Sequence, residues 1–164
     1  MAERNSFKRE APKREFDQKV VEIKRVTRVV AGGKRMRFRA LVVIGDHKGK
    51  VGMGLRKGVD VAEAVNKAVN AAKKTMITVP LENGTIPQQM KMKYKASRII
   101  LLPAAPGTGI IAGGALRSVL ELAGVKNILS KMIGSSNNVN NVKAAMAALT
   151  KMKSRSDIKA RRTA

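Results

Sequence analysis

Residues 106–115, PGTGIIAGGA, lie between an apolar run and a helical pattern, where a phosphate-binding strand–turn–helix unit places its glycines. Such a turn would work because a helix N-terminus presents unpaired N–H groups and the positive end of its dipole. The details depart from known phosphate sites. No Gly-Lys-Ser/Thr follows, so the lysine and magnesium ligand of a P-loop are missing. The spacing is not a dinucleotide fingerprint either, and about twenty residues on, where an acid would hold a ribose, position 127 is Asn. Gly107, Thr108, Gly109, Gly113 and Gly114 therefore read as backbone packing against another macromolecule, or as a structural turn. Acid–base chemistry is no better supplied. Asp46, Asp60, Glu63, Glu82 and Glu121 stand singly, whereas catalysis or metal binding needs converging groups. His47 is the single histidine, in a polar turn, and reads as solvent-exposed. With no cysteine, disulfides, thiolate metal sites and thiol nucleophiles are excluded. No catalytic residue, cofactor or metal site is expected.

The basic residues are organised in space. Lys24, Arg25, Arg28, Lys34, Arg35, Arg37 and Arg39 fall on one expected hairpin, and from Lys24 to Arg39 there is no acid. Lys48, Lys50, Arg56 and Lys57 flank the next turn. A solvated face normally mixes signs, so a run of one sign asks for a polyanion. The whole chain says the same: 164 residues carry 34 Lys plus Arg against 11 Asp plus Glu, a net charge of +23. Aromatics are 2%, Phe7, Phe16, Phe38 and Tyr94, too few for the stacking platforms of a single-strand binder. A reader of phosphates and shape fits better. The hydrophobic fraction of 44% is enough for a folded core. The longest apolar runs fall far short of the ~18 residues of a membrane helix, and the first ten residues hold no apolar signal core. No membrane partner is expected, and the cytosol is the default compartment.

The elements that position these residues follow from periodicity. Residues 1–16 read as a basic arm. VVEIKRVTRVV is a strand, and Gly32-Gly33 marks a tight turn into a second strand. There Met36, Phe38, Ala40, Val42 and Ile44 share an inner face while Arg35, Arg37 and Arg39 project from the other. Val51, Met53 and Leu55 form one face of a third strand, and Gly52 and Gly54 bare its backbone. Those glycines suit close approach of another chain or ligand, or a bend near a sheet edge. Asp60 and Glu63 form a capping box for a helix that buries Val61, Val65, Ala68, Val69 and Ala72. Turn signals place a boundary at 79–84. Beyond it come a strand in which Met90, Met92 and Tyr94 alternate with Lys91, Lys93 and Lys95, and a short strand at 98–102. A helix then buries Leu116, Val119, Leu120 and Ala123 and stops at Gly124. A strand from Val125 to Ile133 and a final helix bearing Val142, Ala145, Met146, Leu149 and Met152 complete the unit. The expected class is α+β in two small domains. The first, 17–78, is a β-β-β-α unit; the second, 85–153, is β-β-α-β-α; a basic tail spans 154–164.

GGKRMRFRALVVIGDHKGKVGMG, VPLENGTIP, PGTGIIAGGALRSVLELAGVKNILSK and GSSNNVNNV occur in an order that resembles the ribosomal protein S5 family of the bacterial-type small subunit. The resemblance covers about 22–149. It implies a first unit like a double-stranded-RNA-binding domain. It also implies a left-handed β-α-β crossover in the second, against a right-handed rule of ~98%. It further implies that the hairpin loop 28–35, with Gly32 and Gly33, reaches into small-subunit rRNA, and that the protein sits near the path by which messenger RNA enters. The glycine turn and Arg117 would lie toward small-subunit protein four, where changes affect decoding accuracy, and protein eight would be a second neighbour. No homo-oligomer is expected. The sequence departs from the usual pattern at 54–62, at 91–95, where lysines replace glycines, and at Asn138, where a missing proline predicts a looser helix start. The competing readings are a phosphate- or nucleotide-dependent RNA-modifying enzyme and a free double-stranded-RNA chaperone.

Overall fold

In the computed structural model, which describes residues 15–154, the alternating segments form three antiparallel strands: β1 (Asp17–Val30), β2 (Gly33–Gly45) and β3 (Lys50–Gly58). The arm at 1–16 and the tail at 154–164 lie, except for Glu15, Phe16 and Ser154, outside the described residues. Val30 pairs with Gly33 across a two-residue turn, in which Gly32 has φ +88°. Helix α1 (Val61–Lys74) covers one face of this sheet, and β4 (Ile77–Thr78) pairs with β3 to give the order β1-β2-β3-β4.

The glycines of β3 serve neither another chain nor a sheet edge. A Cβ on Gly54 would run into the Ala68 carbonyl, one on Gly52 into that of Ala72, and one on Gly58 into the Ala64 backbone. Ala64, Ala68 and Ala72, four residues apart on α1, are fully buried against this bare strand. Val65 and Val69 flank them and are only partly buried. Small residues on both elements let helix and strand backbones approach directly. The capping box is half made. Asp60 is the N-cap residue but its side chain makes no cap bond, while the Glu63 carboxylate accepts the Val59 N–H at 2.7 Å and Lys67 Nζ at 2.5 Å.

The second sheet has the order β5-β6-β8-β7, from β5 (Met90–Tyr94), β6 (Ser97–Pro103), β7 (Ile110–Ile111) and β8 (Ile128–Ile133). β7 is a strand the periodicity does not show, being two residues inside the glycine turn. It runs parallel to β8, joined to it through α2 (Gly114–Leu122), so a β-α-β crossover is present. β8 starts at Ile128 rather than Val125 because the Lys126 and Asn127 N–H groups are spent on the Gly84 carbonyl. Helix α3 (Asn138–Lys151) closes the unit. Its start is capped. The Asn137 side chain accepts the Val139 N–H at 3.0 Å, and Asn138 Nδ2 donates to Glu22 Oε1 at 3.4 Å.

The elements stack as α1, first sheet, α2 with α3, then second sheet. Ala40, Val42 and Ile44 face α1, while Leu41 and Val43 on the opposite face of β2 join a core with Leu116, Leu120, Ile128 and Leu149. The junction is backbone-tight. The His47 N–H donates to the Leu122 carbonyl at 3.1 Å and the Gly49 N–H to Ala123 at 3.0 Å. A Cβ on Gly45 or Gly124 would collide with the opposing carbonyl. His47 is exposed as expected but engaged: Nδ1 donates to the Glu121 carbonyl at 2.8 Å, and Nε2 lies 3.1 Å from Asp17 Oδ2.

Candidate nucleic-acid interface

Cross-strand partners share a face of a sheet, so the register sorts the hairpin's bases. Lys24 opposes Arg39, Val26 opposes Arg37 and Arg28 opposes Arg35. Lys24, Arg28, Arg35, Arg37 and Arg39 therefore stand on one face, and Lys57, opposite Arg39 on β3, joins them. Arg25 pairs with Phe38 and Lys34 with Val29, which puts both on the other face. A groove of about 550 Å³ runs along the basic face, lined by Val26, Arg28, Val30, Arg35, Arg37 and Lys57 among others. Gly32 and Gly33 sit at the exposed tip, with open space where a Cβ would be.

The tip has no core beneath it. Val29 is 73% and Met36 56% exposed, so the expected apolar inner face exists only from Phe38 inward. Beyond the body, β1 and β2 continue as a two-stranded ribbon whose ordered backbone carries cations outward. One base is partly neutralised: Lys24 Nζ lies 3.0 Å from Glu22 Oε1, an acid just outside the acid-free run.

Lys48, Lys50, Arg56 and Lys57, grouped by the sequence around one turn, separate in space. Lys57 lies beside Arg39, with the hairpin set, whereas Arg56 lies beside Ala40, on the opposite face. Lys48 and Lys50 sit by the turn at the other end of β2, about 40 Å of strand from the tip. That turn is held by Asp46, whose Oδ1 accepts the N–H groups of Lys48 at 2.8 Å and Lys50 at 2.9 Å. Burial pushes the Asp46 carboxyl up, but these two N–H groups and the Lys50 charge outweigh it, and its pKa falls below the ordinary value. Glu121, bonded by Lys19 Nζ at 2.7 Å, and Glu63, bonded by Lys67 and the Val59 N–H, are lowered as well.

The glycine turn is filled from within. The N–H groups of Gly107 and Gly109 both donate to Asn127 Oδ1, at 3.1 and 3.0 Å, in the place a phosphate oxygen would take. The Asn127 carbonyl in turn accepts Thr85 Oγ1 at 2.6 Å, and Thr108 N–H turns back to Ala105. Gly113 makes room for the Met132 methyl, while Gly107, Gly109 and Gly114 face open space. Arg117 is exposed beside them, its Nη2 3.5 Å from the Ile110 carbonyl. Asn127 was legible only as an absent acid. Its acceptor role needs the turn's geometry, which spacing does not supply. Among the described residues no cluster of His, Asp or Glu could hold a metal ion, and no helix is long and apolar enough to cross a membrane.

Two family models match consecutive parts of the chain: ribosomal protein S5, N-terminal domain, over residues 16–80, and ribosomal protein S5, C-terminal domain, over 92–162. The chain is also 48% identical to small ribosomal subunit protein uS5 of Thermus thermophilus over 147 residues, 90% of this chain and 91% of that protein. The chain belongs to the ribosomal protein S5 family. Small ribosomal subunit protein uS5 of Thermotoga petrophila is 50% identical over 135 residues, covering 82% of this chain and 76% of its own. The spinach relative, uS5c, is 51% identical over 144 residues, 87% of this chain but 47% of that longer protein. The two S5 domains coincide with the two sheets: the first match spans β1 to β4, and the second begins within β5.

Proposed function

We propose that this S5-family chain grips small-subunit rRNA through the basic face of its β1–β2 ribbon, with Lys48 and Lys50 as a second contact at the opposite end of β2. The coarser role follows from the family: a structural protein of the small ribosomal subunit, located in the ribosome, and not an enzyme. The observation that carries the finer reading is the register, which brings Arg28, Arg35, Arg37, Arg39 and Lys57 onto one face with no acid between them, all but Arg39 lining the groove. Guanidinium groups on an extended ribbon suit duplex backbone, since they bind phosphate oxygens bidentately. The exposed turn at 107–114 with Arg117 supports contact with a neighbouring subunit protein. For that surface the S5 resemblance offers protein four and an effect on decoding accuracy; for the protein as a whole it offers protein eight as a second neighbour and the nearby path of messenger RNA.

The R35A/R37A/R39A variant tests the ribbon. If six to ten phosphates are contacted, affinity for small-subunit rRNA should fall by about 10³–10⁵ between roughly 50 and 200 mM salt. The triple variant should keep its fold, because these side chains are exposed or half-exposed, and should show a shallower salt slope. An unchanged slope would remove the ribbon from the RNA contact.

A further inference from the structure

Among the described residues, no element covers the outer face of the second sheet. Alternation sends Met90, Met92, Tyr94, Ile99 and Leu101 toward the helices, so their neighbours point away. Register then arranges the outward residues in rows. Lys93, Arg98 and Ile133 form one, Lys91, Ile100 and Lys131 the next, and Leu102, Leu129 and Ile111 the last. The first two rows thus hold four cations around two isoleucines, over a groove of about 340 Å³.

None of the four is in an ion pair among the described residues, and strands β5 to β8 contain no carboxylate at all. Lys93 stands directly opposite Arg98, an arrangement that destabilises a sheet unless an anion lies over it. Lys91 and Lys131 flank Ile100 from the two adjacent strands, about 10 Å apart. Their stems can lie along the exposed aliphatic surface while the ammonium groups stay at the rim.

We propose that Lys91, Lys93, Arg98 and Lys131 form a further RNA-backbone contact on this face, separate from the β1–β2 ribbon and from Lys48 and Lys50. The proposal rests on the rRNA-binding reading above. A continuous polyanion is favoured over a single acidic side chain because four like charges spread across three strands need several negative charges in succession. The absence of any aromatic on the outer rows points to phosphates and not to bases. With contacts on separate faces the chain links separate stretches of RNA, so each later one is engaged at high effective concentration once the first has bound.

The test uses the full chain and small-subunit rRNA, with the K91Q/K93Q/R98Q/K131Q variant beside R35A/R37A/R39A. Each lost phosphate contact should lower the salt slope by about 0.7–0.9, so the quadruple variant should lose roughly 2 to 4. The chain has no cysteine, so I133C carries a single iron-chelate probe between these cations, and it should cleave rRNA locally. Should the quadruple variant misfold, R98Q and the probe still decide. A parental slope, no cleavage from position 133, or a crosslink from there to a neighbouring protein in assembled subunits overturns the proposal. If only the sheet variant is silent, this proposal falls alone; if the ribbon variant is silent as well, the rRNA reading falls with it.

Discussion

At the scale of single residues, two side chains without catalytic chemistry hold the shapes that matter. Asn127 accepts two N–H groups from the glycine turn, and it is itself nearly buried. Truncation to Ala removes both bonds and leaves Gly109, half-buried, without its acceptor. N127A should therefore cost about 1–3 kcal/mol in denaturant unfolding. It should also raise hydrogen exchange at Gly107 and Gly109 while leaving the ribbon unaffected. Asp46 performs the same task at the other turn with a charge. Its folded pKa lies below the ordinary 3.8, so its contribution is complete above that value and is lost as pH falls through the lowered one. Glu63 and Glu121 behave alike, from an ordinary 4.5. The melting temperature should fall as pH drops below about 4.5, and D46N should flatten the lower part of that curve. A melting temperature constant down to pH 3 would contradict the assignment of these bonds.

At the scale of elements, β3 and the ribbon use glycine for opposite reasons, and paired substitutions separate them. Gly54 lies beneath α1, and an added methyl meets the Ala68 carbonyl, which belongs to rigid helix backbone. G54A should cost at least the roughly 1–3 kcal/mol of an overpacked core and shift the unfolding midpoint of the whole chain. Gly32 has open space around it but φ +88°. G32A should cost only about 1–2 kcal/mol of backbone strain, confined to the ribbon tip. Midpoints in urea distinguish the two. Most elements were legible because their periods are clean. Helices α2 and α3 bury the residues their stripes name, and Gly124 ends α2 with φ +86°. What periodicity could not carry was the partner of each face. The alternating Gly52 and Gly54 announce a close approach, yet only the matching spacing of Ala64, Ala68 and Ala72 says that α1 makes it. Lys57 likewise reads as a neighbour of Lys48 along the chain, and pairing alone brings it to Arg39.

At the scale of the whole molecule, the telling stretch is Ala40–Ile44, ALVVI, which is apolar at odd and even positions alike. A half-buried strand alternates, whereas a continuous run belongs to one buried on both faces. Reading only the even positions predicts a sheet backed by α1. The odd ones, Leu41 and Val43, show that something must cover the other face, and that cover is the second unit. Two sequence domains thus share one core, closed by the Gly45–Leu122 and His47–Gly124 backbone contacts. Such a core should unfold in a single cooperative step even though the chain divides into two family domains. L41A tests this, because Leu41 is fully buried between the units and its truncation leaves a cavity costing about 2–5 kcal/mol. Hydrogen exchange should then accelerate by the same factor in α1, on one side of the first sheet, and in α3, on the other. If α3 keeps its parental protection while α1 opens, the two domains fold independently and the shared core is only a docking surface.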